Sequence, residues 1–228
     1  MHDHNHEKKH DNDHGHDHDH PHNHHVPQMV TFEDCIRFHG HSCPGIASGY
    51  RAAVAAMEAL GVTRPEDEEL VAICETDACG VDAVQVIAGT TAGKGNLIIQ
   101  DYGKHAFTFY NRKDGKAVRI TFRRNEVTED RNFTELRKKV FSGSASEKEE
   151  EEFHELMHRA TVNVLHAPAD KIMKIEKITM DAPKKARIFA SVTCEECGEP
   201  VADAKTRKVE GKVLCIPCAE GKHPAKRK

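Results

Sequence analysis

Four cysteines near the end of the chain constrain its fold more than any other feature. Cys194, Cys197, Cys215 and Cys218 form the pattern C-x2-C-x17-C-x2-C. Each C-x-x-C pair can place two thiolates on one tetrahedral ion, so two pairs fill all four positions of a structural zinc site. The segment has few large apolar side chains, and metal binding must therefore supply folding energy that its core cannot. We expect a closed zinc finger over residues 191–228.

A pair of redox-active dithiols is the alternative interpretation of these cysteines. A thioredoxin-like motif has one C-x-x-C near a β-α-β unit, whereas two occur here in a short segment with hairpin patterns. The chain contains eight cysteines, and for a cytosolic protein this favours metal or thiol chemistry over disulfides. Zinc is therefore favoured. The segment also resembles the C4 zinc fingers of the DksA/TraR type, in CGEPV and in the G-K-x-x-C-x-x-C that ends it.

The first 27 residues are of low complexity and rich in histidine. Residues 1–25 contain eleven of the chain's 18 histidines, together with six Asp or Glu. A segment of this kind cannot build a core, so we expect it to be disordered when it is free of metal. Imidazoles beside carboxylates bind zinc, nickel or copper, which favours metal capture. A tolerated polar extension is the alternative.

Hydropathy and charge argue against two classes of partner. No apolar run approaches the ~20 residues of a membrane helix, and the N-terminus lacks the apolar stretch of a secretory signal. We therefore expect a soluble, cytoplasmic protein with no membrane association. Residues 184–228 carry eleven Lys or Arg and six Asp or Glu, a net charge of +5. This field is modest, and no aromatic residue follows Phe189, so nucleic acid is not the expected partner.

Residues 28–190 have helix-end patterns typical of one folded domain. Thr31 and Gly40 fit the two ends of a short helix. Pro44 and Gly61 fit the ends of a second helix, which makes Cys43 its N-cap. A third helix is predicted over 82–88, and a capping box S-x-x-E precedes a long helix that starts near residue 147.

Between these helices, short apolar or alternating runs predict strands. The hairpin sequence at 113–116 contains Asp-Gly, which is a strong turn pattern. The arrangement predicts an α+β fold in which helices pack on a largely antiparallel sheet, followed by the small zinc-ribbon or knuckle module. The predicted strands cover 70–75, 97–99, 105–110, 117–122, 172–178 and 187–192.

A second group of metal-binding residue types lies in the segment FHGHSCPG. It places His39, His41 and Cys43 within five residues at the start of the second helix. A thiol there feels the positive end of the helix dipole, which favours the thiolate and with it metal binding or nucleophilicity. Cys79 lies in a loop after a predicted strand. Donors of these kinds together suit zinc, nickel, cobalt or iron.

Ordinary core packing is the alternative for these residues, because an isolated His or Cys usually has that role. Three donors grouped at one helix start favour a site instead. Cys35 and Cys74 lie inside predicted regular elements, and we expect both to belong to the core.

Three separated blocks of sequence closely resemble the E-subunit family of formylmethanofuran dehydrogenase. The resemblance covers about residues 32–191 and implies an α+β domain, a homodimer, and a metal site built from the H-G-H-x-C-P-G segment with the later cysteine. On that basis His41, Cys43 and Cys79 are the expected ligands, with His39 as a further candidate. The core ion would be zinc or another transition metal such as nickel or iron. The blocks are FHGHSCPGIASGYRAA, ETDACGVDAVQVIAG and GKGNLIIQDYGKHAFTFYNRKDGKAVR.

The chain departs from this family in one loop. Relatives often read G-C-T-x-G-K-G where residues 89–95 read GTTAGKG, so this loop offers no thiolate. The family takes its name from a molybdenum or tungsten enzyme whose catalytic cofactors sit on other subunits. The name therefore does not make this chain a dehydrogenase.

Three functions remain open. The favoured one is a metal-binding accessory protein that serves a metalloenzyme or redox enzyme as subunit or assembly factor. The second is an enzyme that uses the core metal, or Cys43 as nucleophile, with Asp77, Asp82 and His105 as candidate acids or bases. The third is a regulator that binds nucleic acid or a polymerase through the finger. No complete catalytic set is evident in the sequence, which favours the first.

Overall fold

The computed structural model describes residues 30–123 and 131–224. The histidine-rich segment lies outside the described residues. The disorder and the metal capture predicted for it therefore stay predictions. The described helices are α1 (Phe32–His39), α2 (Pro44–Leu60), α3 (Gly80–Ala88), α4 (Arg131–Phe141), α5 (Glu147–His166), α6 (Ala169–Ile172) and α7 (Ile216–Ala219). The described strands are β1 (Leu70–Cys74), β2 (Leu97–Ile99), β3 (Ala106–Asn111), β4 (Ala117–Phe122), β5 (Met173–Ile178), β6 (Ser191–Thr193), β7 (Pro200–Ala202), β8 (Thr206–Val209) and β9 (Lys212–Cys215).

Five of these strands form one sheet in the order β2-β1-β3-β4-β5. The pair β1–β2 is parallel, and the other three pairs are antiparallel. Every residue of β3 is buried, and Phe107 and Phe109 are fully inaccessible to solvent. A mainly antiparallel sheet with helices packed on it confirms the predicted α+β class.

The helix ends follow the local sequence as predicted. Thr31 forms a capping box with Asp34 at the start of α1, and Gly40 ends that helix with a left-handed φ of 95°. Cys43 is the N-cap of α2, with Pro44 in its first turn. These ends leave only a short connection, residues 40–43, between α1 and α2, so residues on both sides of it stay close together.

Helices α2 and α3 approach each other so closely that no side chain fits between them. A Cβ atom on Gly49 of α2 would lie 2.1 Å from the carbonyl oxygen of Gly80 in α3. A Cβ on Gly80 would in turn meet Phe107 at 3.0 Å. Glycine at both positions lets the two backbones touch, and this contact places the start of α3 against the first turns of α2.

A partly buried guanidinium joins α2 to the end of the long helix α5. Arg51 donates hydrogen bonds to the carbonyl oxygens of Val164, Leu165 and Ala167 at 2.9, 2.5 and 2.9 Å. Carbonyls in the last turn of a helix have no partner within the helix, and a cation there also stabilises the helix dipole. Helix α4, which packs on α5, was not predicted from the sequence.

The finger contains two small hairpins, β6–β7 and β8–β9. The strand predicted over 187–192 is wrong for most of its length, because β6 begins only at Ser191, where it finds its partner Ala202. Residues 187–190 are not part of a strand, although the carbonyl oxygen of Ala190 accepts from the backbone N–H of Asp203 at 2.9 Å, and Ile188 is fully exposed. An alternating sequence pattern does not form a strand without a neighbour to complete its hydrogen bonds.

The chain that leads into the finger is fixed to the core domain just before these residues. Arg112 donates to the carbonyl oxygens of Pro183 and Lys184 at 2.6 and 3.0 Å. Ala186 follows, and its side chain lies so close to Gly95 that a Cβ on the glycine would be 3.0 Å from it.

Among the described helices, none combines the length and the apolar character that a bilayer crossing requires.

The two cysteines expected in the core are there. Cys35 and Cys74 are both fully buried. Burial raises the pKa of each thiol to about 12, so neither is a thiolate near neutral pH.

Replacing Gly49 with alanine tests the contact between α2 and α3. We expect Gly49→Ala to lower the free energy of unfolding by about 1–3 kcal/mol, the usual cost of an over-packed core. Urea unfolding followed by circular dichroism measures this. Gly93→Ala is the matched control, because a Cβ there meets nothing within 4 Å. Equal unfolding midpoints for the two variants would show that the close approach is not required.

Candidate metal centres

Cys43 is held at the start of α2 by its own capping hydrogen bond. The backbone N–H of Ile46 donates to Cys43 Sγ at 3.4 Å, and the side chain is only 4% exposed. Sulfur here takes the place of the oxygen that usually caps a helix. The sequence therefore fixes both the position and the direction of this thiol.

Cys79 reaches the same place from α3, where it is the N-cap residue. A Cβ on Gly45 would lie 3.0 Å from Cys79 Cβ and 3.6 Å from each of the two sulfurs, Cys43 Sγ and Cys79 Sγ. The absence of a side chain at Gly45 therefore leaves the space in which the two thiols meet. Burial, and secondly the neighbouring Cys43, raise the pKa of Cys79.

His39, the last residue of α1, adds a nitrogen donor to the two sulfurs. Its Nδ1 lies 2.7 Å from Asp82 Oδ2, and a carboxylate can only accept in this hydrogen bond. In the neutral imidazole that binds metal, the proton therefore sits on Nδ1, and Nε2 keeps a free lone pair. His39 Nε2 is buried without a hydrogen-bond partner. A carboxylate that orients a histidine in this way is the usual second partner of a metal-bound imidazole.

The ligand atoms of His39, Cys43 and Cys79 all lie within 4.8 Å of one another. One imidazole and two thiols match the donor set of three-ligand zinc sites, which leave the fourth tetrahedral position open. Cobalt, nickel and iron accept the same donors. The unpartnered nitrogen and the paired sulfurs therefore fit a transition metal ion.

The structure places the other sequence candidates outside this group. His41 is exposed, and its ring centroid lies 4.4 Å from that of His39. Its role as a ligand stays a prediction. Asp77 is exposed, and His105 packs with ring centroids 5.6 Å from Phe107 and 4.5 Å from Phe122.

Thr90 stands at the position where the family resemblance described above implies a cysteine. It is fully buried, and its hydroxyl oxygen has no hydrogen-bond partner. With His39 Nε2 it is one of two buried side-chain polar atoms left unpaired within 30–123 and 131–224. Leaving such an atom unpaired has a real cost in stability, and no contact of the described chain offsets it here.

The four finger cysteines form the second group, with all their sulfurs within 4.8 Å of one another. Cys197 Sγ and Cys215 Sγ are 3.9 Å apart, and the backbone N–H of Cys215 donates to Cys194 Sγ at 3.2 Å. Backbone N–H groups of Cys197 and Cys215 lower the pKa of Cys194 to about 6. A four-thiol set with amide donors to sulfur is consistent with a zinc ribbon.

Comparison with known families shows to which protein family the chain belongs. The pattern described as FmdE, molybdenum formylmethanofuran dehydrogenase operon, matches residues 38–174, which is more than half of the chain. The chain belongs to the FmdE family. The prokaryotic DksA/TraR C4-type zinc finger matches residues 187–222. Both resemblances inferred from the sequence are confirmed, and the family, the finger and the cysteine groups together support metal binding.

Two relatives extend this comparison. A protein of Archaeoglobus fulgidus described as a probable S-adenosyl-L-methionine-binding protein is 37% identical over 189 residues. That match covers 80% of this chain and 50% of the relative, so the chain spans about half the relative's length. The crystal structure of a tungsten formylmethanofuran dehydrogenase FmdE-like protein from Syntrophus aciditrophicus is 25% identical, with a TM-score of 0.54. It covers 85% of this chain and 96% of that one.

The roles of Asp82 and Gly45 in the core group are not predicted from the sequence. For Asp82 the sequence suggests only an acid or base. Its position was readable, since residues three apart on a helix share a face and Asp82 follows Cys79 by three. Gly45 follows Pro44 in the first turn of α2, where helix geometry alone does not require glycine. The sequence therefore gives no indication that a side chain at this position would fill the space between the two thiols.

Removing the carboxylate of Asp82 tests its hold on His39. We expect Asp82→Ala to weaken cobalt binding at this site about 10–100-fold, as is usual when the partner of a metal-bound histidine is lost. Competition with a chelator, followed by the thiolate-to-cobalt absorption band, measures the affinity. Asp77→Ala is the control, since that carboxylate is exposed in the loop before α3. Unchanged affinity in Asp82→Ala would remove Asp82 from the site.

Proposed function

We propose that this chain is a metal-binding accessory protein that holds a transition metal on His39, Cys43 and Cys79. The observation that carries the proposal is the buried, unpartnered Nε2 of His39 in a group with two thiols. Burying a polar atom without a partner costs free energy, and a metal ion at this point would offset that cost. When bound, the metal would supply a Lewis-acid centre with one exchangeable position.

Three donors suit a metal that must also leave. A four-thiolate site encloses its ion, whereas a three-donor site lets an incoming ligand attach before the first protein ligand departs. Cys79 is only partly buried, which leaves one side of the group open to such a ligand. We therefore assign the core site to metal handling and the finger to structural zinc.

The remaining parts of the proposal concern supply and partners. Imidazoles of the N-terminal segment would collect metal weakly, and its transfer to a site with two thiolates would be downhill for zinc-class ions. The acceptor would be a metalloenzyme that this chain serves as subunit or assembly factor, with the chain itself acting as a homodimer. The basic finger gives less support to a nucleic-acid regulator, since it lacks aromatic residues for stacking on bases.

A catalytic role for the core site has less support than metal handling. Asp82 is occupied in orienting His39, Asp77 is exposed, and His105 packs against two phenylalanines. Within the described ranges, the metal-binding group consists of His39, Cys43 and Cys79 and includes neither Asp77 nor His105. An acid or base must reach the reacting atoms within hydrogen-bond distance or through one water.

The number of thiolate-bound cobalt ions per chain tests the proposal. Cobalt produces a charge-transfer band when a thiolate binds it, and cobalt bound only by imidazoles or carboxylates does not contribute to that band. We expect the double variant Cys43→Ser with Cys79→Ser to bind one thiolate-bound cobalt ion fewer per chain than the wild type. Cys35→Ala is the control, as a buried cysteine outside the metal-binding groups, and should keep the wild-type number.

The same samples test metal handling directly. Because its coordination is open, the core ion should pass to an added chelator at least tenfold faster than the finger ion. An equal number of thiolate-bound cobalt ions in the wild-type chain and in the double variant would remove the core site. Release of both ions at equal rates would leave a metal site but contradict its role in transfer.

A cavity beside Asp82 favours a second candidate function, the binding of a small molecule. The cavity has a volume of about 730 Å³, within the usual range for ligand pockets, and Phe38, Arg37 and Gln85 are among its lining residues. Gln85 Nε2 donates to Asp82 Oδ1 at 3.3 Å, which links the cavity to the metal group. Phe38 is 59% exposed, so its ring is available for stacking. The Archaeoglobus fulgidus relative suggests S-adenosyl-L-methionine as the ligand to try.

Calorimetric titration with S-adenosyl-L-methionine tests this second candidate. We expect saturable binding that is about 5–150-fold weaker in Phe38→Ala, because stacking of a base on an aromatic ring contributes about 1–3 kcal/mol. Phe141→Ala is the matched control, an exposed phenylalanine on α4 away from the cavity. Absence of saturable heat in the wild-type chain would eliminate this ligand.

A further inference from the structure

The chain after α7 folds back onto the finger. The backbone N–H of Gly221 donates to the carbonyl oxygen of Cys218 at 3.1 Å, and that of Lys222 donates to Pro217 at 2.7 Å. Gly221 supplies the turn with a φ of 66°. This turn returns His223 to the body of the finger, where it is only 5% exposed although both of its neighbours are exposed.

The first cysteine knuckle receives this histidine. The backbone N–H of Cys194 donates to the carbonyl oxygen of Glu199 at 2.9 Å, which closes the knuckle and directs the chain past Cys197. His223 Nε2 lies 3.1 Å from Glu199 Oε2. The ligand atoms of Cys197, Glu199 and His223 all lie within 4.8 Å of one another.

We propose that Cys197, Glu199 and His223 form a second cation site in the finger, which shares Cys197 with the four-cysteine site and takes a zinc-class divalent ion. Thiolate, imidazole and carboxylate are the three ligand types that such ions accept. A thiolate sulfur has more than one lone pair and can bridge two ions. Cys197 is also the one finger cysteine that is only partly buried, so its sulfur has a side that faces away from the enclosed ion.

A simple ion pair between Glu199 and His223 does not account for this arrangement. The Glu199 side chain is 64% exposed, and an ion pair with so exposed a partner contributes little. Such a pair would form equally well at the surface, whereas here the imidazole is buried beside a thiol. His223 also lies one residue beyond the zinc-finger match at 187–222, so the four-cysteine pattern does not imply it.

Sharing a ligand gives the second site a consequence for metal loading. An ion held by His223 and Glu199 already touches one of the four thiolates. It can pass into the enclosed position by keeping Cys197 and replacing His223, Glu199 and its solvent ligand with the other three cysteines, without being released to solvent. The site is therefore an entry position for the zinc that the finger requires.

The test uses the full-length chain in the Cys43→Ser, Cys79→Ser background, with one zinc ion bound in the finger. Cobalt is then added while the thiolate-to-cobalt band and the zinc retained on the protein are both measured. The N-terminal segment contains no cysteine and gives no such band. We expect the band to saturate at one cobalt per chain while the zinc stays bound.

Two variants and one control assign the band. His223→Ala and Glu199→Gln should each weaken this cobalt binding at least tenfold, whereas His158→Ala, an exposed histidine of α5, should leave it unchanged. Glu199→Gln keeps the shape of the knuckle and decides the question if His223→Ala fails to retain zinc. No band, a band matched by release of zinc, or a band unaffected by both variants would each overturn the proposal.

Discussion

The contact between α2 and α3 determines where both sulfur donors of the core site lie. Because Gly49 and Gly80 have no side chains, the two helices meet backbone to backbone, and their first turns lie side by side. Cys43 and Cys79 are the N-caps of these helices, so their sulfurs converge without a dedicated loop. A site built on two packed helix ends is more rigid than one built on loops, which keeps donors in place in the absence of metal.

Features decided by neighbouring residues could be predicted from the sequence. Capping patterns gave the ends of α1 and α2 and, with them, the position of Cys43 as N-cap. The spacing of the finger cysteines likewise predicted a group that the structure brings together. The caps and each C-x-x-C pair depend on interactions within a few residues, whose geometry changes little from one protein to the next, and the tetrahedral site of zinc joins the two pairs.

Features decided by distant contacts could not be predicted in the same way. The left-handed turn at Gly40 separates His39 from His41, and the bond from His39 to Asp82, 43 residues away, determines which of them joins the thiols. The strand expected over 187–192 is mostly absent, because pairing with β7 begins only at Ser191. The return of His223 to its knuckle depends on a turn that a cysteine pattern does not contain.

The fixed chain ahead of the finger limits how far that module can move from the core domain. Arg112 and Gly95 hold the chain as far as Ala186, and the finger begins at Ser191. Five peptide units separate these residues, and they span about 17 Å when fully extended. A molecule attached to the finger therefore stays near the sheet edge, at an effective concentration on the order of millimolar. At that concentration, a contact between this molecule and the core domain would form even if its affinity were too weak for two separate molecules.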